Sequence, residues 1–389
     1  MPFSEIDSVP WDKLHHAYGQ ATDVPDLLWS LMDPERASKE LREDAAKHNT
    51  SIFDRVTYHL WGNVFHQGTV WQASAATVPF FADILLEGPR DPALQAFVVC
   101  YLHHLAMSYP QDRFPCWVDP DADFASVAGQ VAPAGEPDYS GDVPYLIWVR
   151  DCYEAVEQHI EAVLPCLNSE SDQVAGEVIA LCASFPRVKT QTVPLLQPLA
   201  RGEGVRSAWA ALSLAILSGA SVLPDALRLA KSSDRTIAIH GACAAVLADA
   251  ASVPIELLGV IFEPLPEELA EAESPHAETL QSLVARCLVQ LPDEHRAAAV
   301  SAVARQHRGC EAPAGLTLTA SLLQLAFGAS QVPKRASELN HTQREALEAI
   351  RDHGAFLWRG SVFGNYASMM RGWGLPTTAA ALGEWLKGN

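Results

Sequence analysis

Apolar residues recur along the chain with helical spacing, and proline marks where many of the runs begin. "AVLPCLNS" (162–169), "TVPLLQPLA" (192–200), "SVLPDALRLA" (221–230), "SVPIELLGV" (252–260) and "QLPDEHRAAAV" (290–300) each place a proline at the head of an apolar stretch. The prolines, Pro165, Pro194, Pro224, Pro254 and Pro292, are 29, 30, 30 and 38 residues apart. Proline has a fixed φ and no N–H, which suits the first helical position, where that donor is unpaired in any case. Each one therefore predicts the start of the second helix of a two-helix unit, and the near-constant period predicts a repeat array.

The segments before Pro224 and Pro254 align without a gap. Ala208, Ala211 and Ala215 match Ala238, Gly241 and Ala245, while Leu212, Ile216 and Leu217 match Ala242, Val246 and Leu247. One helical face is small and its neighbour bulkier, a pattern that lets successive helices approach closely. Ser233-Asp234 and Ser274-Pro275 predict caps of first helices. The amino-terminal part follows the same grammar less regularly: "DVPDLLWSL" (23–31) and "TVPFFADILL" (77–86) read as second-helix starts, and Asp33-Pro34 and Asp91-Pro92 as capped openings. A longer helix is predicted over 145–167. Residues 316–328 read as a helix that stops at Gly328, 341–354 as one with a Thr342…Glu345 capping box ending at Gly354, and 364–388 as two short helices.

These elements predict an all-α fold, an α–α superhelix (HEAT/ARM-like solenoid) of about six to eight helix pairs with atypical capping helices at both ends. The whole chain, 1–389, is expected to form one array. Within it, 1–107 holds irregular repeats, 108–144 a long acidic Pro/Gly loop, 145–310 the regular repeats and 311–389 the carboxyl-terminal caps. The extra length before Pro292 contains "EPLPEELAEAESPHAE" (263–278), which reads as an acidic loop projecting from one edge of the stack.

Composition narrows the function classes. With 49% hydrophobic and 19% charged residues, the chain holds enough apolar surface to fold. Its 27 basic and 47 acidic side chains give a net charge of −20, which repels phosphate backbones and anionic lipid surfaces; a basic or neutral protein partner is expected, and nucleic acid is not. Residues 330–389 hold 7 basic and 5 acidic side chains, so the acidity lies in the body of the array. The eight cysteines form no CxxC pair and read as reduced, buried small hydrophobes. The first residues, MPFSEIDSVPWDKL, show no export pattern, so a cytoplasmic location is expected. "AWAALSLAILSGASVL" is shorter than the ~20 residues a span needs and contains three serines, so no membrane span is expected.

The proline-headed, thirty-residue, two-helix unit resembles a short HEAT-type repeat. "HAYGQATDVPDLLWSL" (16–31), "HQGTVWQASAATVPFF" (66–81) and "GNYASMMRGWGLPTTAAAL" (364–382) are similar to motifs of a broad bacterial group of HEAT-like proteins. That resemblance implies a cytoplasmic immunity or adaptor type of protein, which binds another protein without catalysis. It also brings alternatives: a HEAT-like DNA glycosylase acting on alkylated bases, and a HEAT-type lyase with a deep apolar pocket.

Two residue sets are candidates for binding. Trp11, His15, His16, Tyr18, His59, Trp61, His66 and Gln67 form an amino-terminal aromatic and histidine set; Trp358, Arg359, Asn365, Tyr366, Arg371 and Trp373 form a carboxyl-terminal one. Aromatic and arginine side chains dominate protein interfaces. The same residues also suit the sealing of the ends of a helical stack, where repeats are atypical. No catalytic residue and no cofactor is assigned, and no metal site. HExxH is absent, and the His15-His16 and His103-His104 pairs diverge on a helix. "DPDADFASVAGQ" (119–130) alternates Asp119, Asp121 and Asp123 like a calcium loop, yet has Phe124 at the glycine position and Gln130 at that of the bidentate glutamate. Glu154, Glu157 and Glu161 make an acidic helical stripe that reads as a solvated face.

Overall fold

The computed structural model describes residues 3–108, 119–132, 142–307, 314–328 and 330–388. The chain is mostly helical and divides into two compact units, Met1–Thr192 and Val193–Asn389. Among the described residues the β-structure consists of three two-residue antiparallel hairpins and one isolated bridge.

Unit 1 contains α1 (Val24–Met32), α2 (Lys39–His48), α3 (Ile52–His59), α4 (Gln72–Glu87), α5 (Pro92–Met107), α6 (Asp142–Gln158) and α7 (Asp172–Ala183). Two hairpins punctuate it: β1–β2 (His15–His16, Gly19–Gln20) before α1, and β3–β4 (Phe65–His66, Thr69–Val70) before α4. α1 packs on α3 and α4, α4 and α5 pack on α6, and α7 packs on α5. Pro25 and Pro92 stand in the first turns of α1 and α5, as their positions in the sequence predict, and Asp91 caps α5 by accepting from the Ala93 N–H at 2.8 Å.

α8 (Lys189–Ala200) crosses the boundary between the units. Unit 2 continues with α9 (Val205–Ser218), α10 (Leu223–Leu229), α11 (Arg235–Asp249), α12 (Ile255–Phe262), α13 (Leu280–Leu288), α14 (Arg296–Gln306), α15 (Ala314–Phe327), α16 (His341–His353), α17 (Gly364–Gly372) and α18 (Ala379–Lys387). The third hairpin, β5–β6 (Leu357–Trp358, Ser361–Val362), separates α16 from α17. Helices two apart in sequence pack together: α9 on α11, α11 on α13 and α13 on α15, with a companion series of α12 on α14, α14 on α16 and α16 on α18.

The small-residue face has the expected role. Ala208, Ala211, Ala215, Ala238 and Ala245 are all buried, and α9 packs on α11. At Gly241 the backbone of α10 comes so close that a Cβ would lie 2.4 Å from the Ala230 nitrogen and 2.7 Å from the Leu229 carbonyl carbon. Only glycine fits there.

Several local readings shift. Pro224 and Pro254 do sit at helix starts, and Pro292 precedes the turn that leads into α14. Pro79 and Pro194 instead lie inside α4 and α8, which begin earlier. α4 starts at the hairpin, where the Trp71 N–H donates to Ser74 Oγ at 2.8 Å. The helix over 145–167 ends its first part at Gln158 and continues only as short turns, with Pro165 inside a 3-10 segment. The capping box of α16 is made by Asn340 and Gln343, not by Thr342 and Glu345. Ser274-Pro275 starts no helix: Thr279 caps α13, while Ser274 bridges to Ala277.

The 263–278 segment does not simply project. Ser274, His276 and Ala277 are buried, because His276 finds a hydroxyl partner inside the unit. Within the long predicted loop, residues 119–132 are folded: Phe124 and Val127 are buried, and Arg150 donates to the carbonyls of Val127 and Gln130. Residues 109–118 and 133–141 lie outside the described residues. Of the six described cysteines, all but Cys100 are buried. Among the described residues, one helical stretch, Val205–Leu229, is long and apolar enough to cross a membrane by length and composition; half of its apolar window is buried in the protein, and Gly219, at φ 57°, interrupts it.

Candidate functional site

The candidate residues gather around the three hairpins. In the first, the Tyr18 N–H donates to His16 Nδ1 at 3.1 Å, so Nε2 carries the proton toward Asp23 Oδ1, 2.8 Å away. Asn63 Nδ2 donates to the other Asp23 oxygen at 2.9 Å, and the Ala17 N–H donates to the Asn63 carbonyl. Burial alone would raise the Asp23 carboxyl; the His16 imidazole and the Asn63 amide outweigh it and hold that group below the usual carboxylate range. His16 is interior, and Trp11 is too, with its Nε1–H on the Ile6 carbonyl. Tyr18 is exposed and meets His66 edge-on at 5.3 Å. The His15 N–H donates to Gln72 Oε1.

The second hairpin turns on Gln67 and Gly68, at φ 49° and 85°, the left-handed pair that a type I′ turn requires. Its apolar side is covered: Phe65 and Val70 are buried, and Phe65 and Trp61 pack on Tyr101 and His104 of α5. His66 Nδ1 binds the Gly62 carbonyl at 2.7 Å. His59 stands apart from the hairpin, in a polar knot where Asp44 accepts from both His59 and Arg55; these hydrogen bonds, the His59 one foremost, hold the Asp44 carboxyl low.

The third hairpin repeats the second. "LWRGSV" (357–362) aligns position for position with "FHQGTV" (65–70), and Arg359 and Gly360, at φ 50° and 79°, reproduce the turn. Its surroundings differ. Leu357 is 61% exposed and Val362 63%, so the side that Phe65 and Val70 bury in unit 1 is open here; Trp358, the counterpart of half-buried His66, is 48% exposed. The Arg359 guanidinium lies 5.1 Å from the Trp358 ring centroid, a cation–π distance. Asn365 and Arg371 are exposed nearby in sequence on α17. Among the described residues neither Arg359 nor Arg371 pairs with a carboxylate; Arg371 donates to Ser368 Oγ. Tyr366 is fully buried, its hydroxyl 3.0 Å from Thr319 Oγ1, which in turn meets His307 Nε2 at 2.8 Å. Trp373 packs at 6.3 Å from Phe327.

Sequence reasoning singled out Trp358 and Arg359 but not their flanking partners Leu357 and Val362. The signal was present as a two-residue X-Gly turn between short alternating apolar runs.

Constellations that look catalytic resolve into structure. His103 lies between Glu177 Oε2 at 3.2 Å and Ser184 Oγ at 3.5 Å, the composition of an acyl-transfer triad. Ser184, however, is buried at the carboxyl end of α7, where the partial negative charge of the helix opposes a developing oxyanion. The Asp119–Asp123 run holds a helical turn: Asp119 accepts from the Ala122 N–H, and Asp121 pairs with Arg187 at 2.6 Å. Arg187 also reaches Glu154 and Glu157, so two members of the acidic stripe are paired, and burial raises the Glu157 carboxyl in spite of that cation. Among the described residues no cluster of three or more His, Cys, Asp or Glu could hold a metal ion.

No protein-family model matches the chain, and neither any curated protein nor any solved structure does.

Proposed function

We propose that this protein is a non-enzymatic binding scaffold of HEAT-like helix pairs, of the adaptor or immunity type, that grips another protein through the hairpin between α16 and α17. The exposure of Leu357 and Val362, whose counterparts Phe65 and Val70 in unit 1 are packed away, together with that of Trp358 beside them, carries this reading. A half-open aromatic ring beside an arginine that meets no carboxylate among the described residues is the composition of an interface hot spot. The left-handed turn at Arg359 and Gly360 sets the backbone of the hairpin beside the ring before any partner arrives. Helices stacking two apart in unit 2, with prolines at recurring positions, support the repeat-superhelix part of the reading.

The partner is neutral or basic overall, in keeping with the net charge of −20, and offers an apolar pocket rimmed by carboxylates or carbonyls for Trp358 and Arg359. Pull-down from the native host at low and high salt, with the natural chain and with Trp358→Ala side by side, tests this. A protein recovered by the natural chain and lost by the variant supports it. Equal recovery by both, or recovery by neither at either salt, overturns it.

A further inference from the structure

We infer that unit 1 contains a binding site for a planar aromatic carboxylate, separate from the hairpin surface of unit 2. A cavity of about 270 Å³ lies where residues 10–14, the start of α4 and the middle of α6 meet. Trp71 and Trp148 form part of its wall, their rings stacked with centroids 6.1 Å apart and planes 23° from parallel. Such a surface favours a flat ring.

The polar groups specify the rest of the ligand. Trp148 is 5% exposed, and its Nε1–H is buried with no hydrogen-bond acceptor among the described residues. An indole N–H can only donate, so a ligand in this cavity completes it by supplying an acceptor. Lys13 lines the same cavity and is exposed, with no carboxylate in ion-pair range among the described residues. The one acidic lining residue, Asp151, is already held by Arg150, whose Nε lies 3.0 Å from Asp151 Oδ1. A neutral donor, an unengaged ammonium and a neutralised carboxylate together select an anionic acceptor on an aromatic body. A carboxylate provides that charge and accepts from both groups.

Isothermal titration calorimetry on the full chain tests the site with 2-naphthoate as the probe and 2-naphthylmethylamine as its cationic counterpart. The expected result is one-to-one binding of 2-naphthoate and none of the amine. Trp148→Phe keeps the ring but removes the donor, and Lys13→Glu reverses the charge; each should weaken binding about tenfold or more. Ala75→Leu narrows the cavity and should abolish binding. Circular dichroism establishes that each variant is folded, and if Trp148→Phe is not, the other two substitutions decide. The inference is overturned by a folded natural chain that shows no saturable binding of 2-naphthoate up to about 5 mM. It is equally overturned if the amine binds as tightly, or if the folded variants bind like the natural chain.

Discussion

His276 reaches back 63 residues to Ser213 and places its Nε2 2.8 Å from the hydroxyl oxygen, with both side chains buried. The bond ties the end of the acidic 263–278 segment to α9. Removing one partner leaves the other buried without its bond, so Ser213→Ala should cost about 1–3 kcal/mol. Urea unfolding measures it. An unchanged midpoint would mean that the segment is not anchored there.

Gly241 faces the end of α10 at a distance that excludes a side chain. Gly241→Ala must push two helices apart, and the gain in intrinsic helix propensity, about 1 kcal/mol, does not match the strain of overpacking, about 1–3 kcal/mol or more. The variant should melt lower than the natural chain. A higher melting temperature would show that the close approach of α10 and α11 is not a fixed feature.

Acid should destabilise unit 2. Burial lowers His240 and His307 from about 6.5 to about 4, so both imidazoles are neutral in the folded protein at neutral pH. Between those two values the unfolded chain takes up protons that the folded chain refuses. Stability is therefore full above about pH 6.5 and falls as pH drops toward 4, by about 3 kcal/mol for each histidine. Denaturant titrations at stepped pH measure the slope, and His240→Gln should flatten it. A flat profile from pH 7 to pH 4 would contradict the burial of both rings.

The two matching hairpins should respond in opposite ways to truncation. Phe65→Ala removes a ring that is 2% exposed and should cost about 3–5 kcal/mol. Leu357→Ala, at the matching position, removes a side chain that is 61% exposed and should change stability by only about 0.5 kcal/mol, while weakening partner capture. Thermal melts of the two variants separate these outcomes. Equal losses would show that the third hairpin is packed like the second.

The reach of the sequence can be judged at particular residues. Pro25, Pro92, Pro224 and Asp234 could be read because their effects are local: a fixed φ, a missing donor, a side-chain cap on the N–H three residues on. Pro79 and Pro194 have the same local character, yet preceding residues extended the helix through them, which only the neighbouring packing decides. Asn340 displaced Thr342 as a cap for the same reason. In the candidate sites, Trp358 and Arg359 could be named from their residue types, whereas the burial of Trp11, His16 and Tyr366 could not. Burial is set by residues far away in sequence, as the chain from Tyr366 through Thr319 to His307 illustrates.

The left-handed pair at Arg359 and Gly360 has a kinetic corollary. If the hairpin is the proposed contact, a finger already bent into shape has almost no freedom left to surrender, so replacing Gly360, at φ 79°, with a β-branched residue should unbend it and shorten the lifetime of any complex it makes while the helices stay folded.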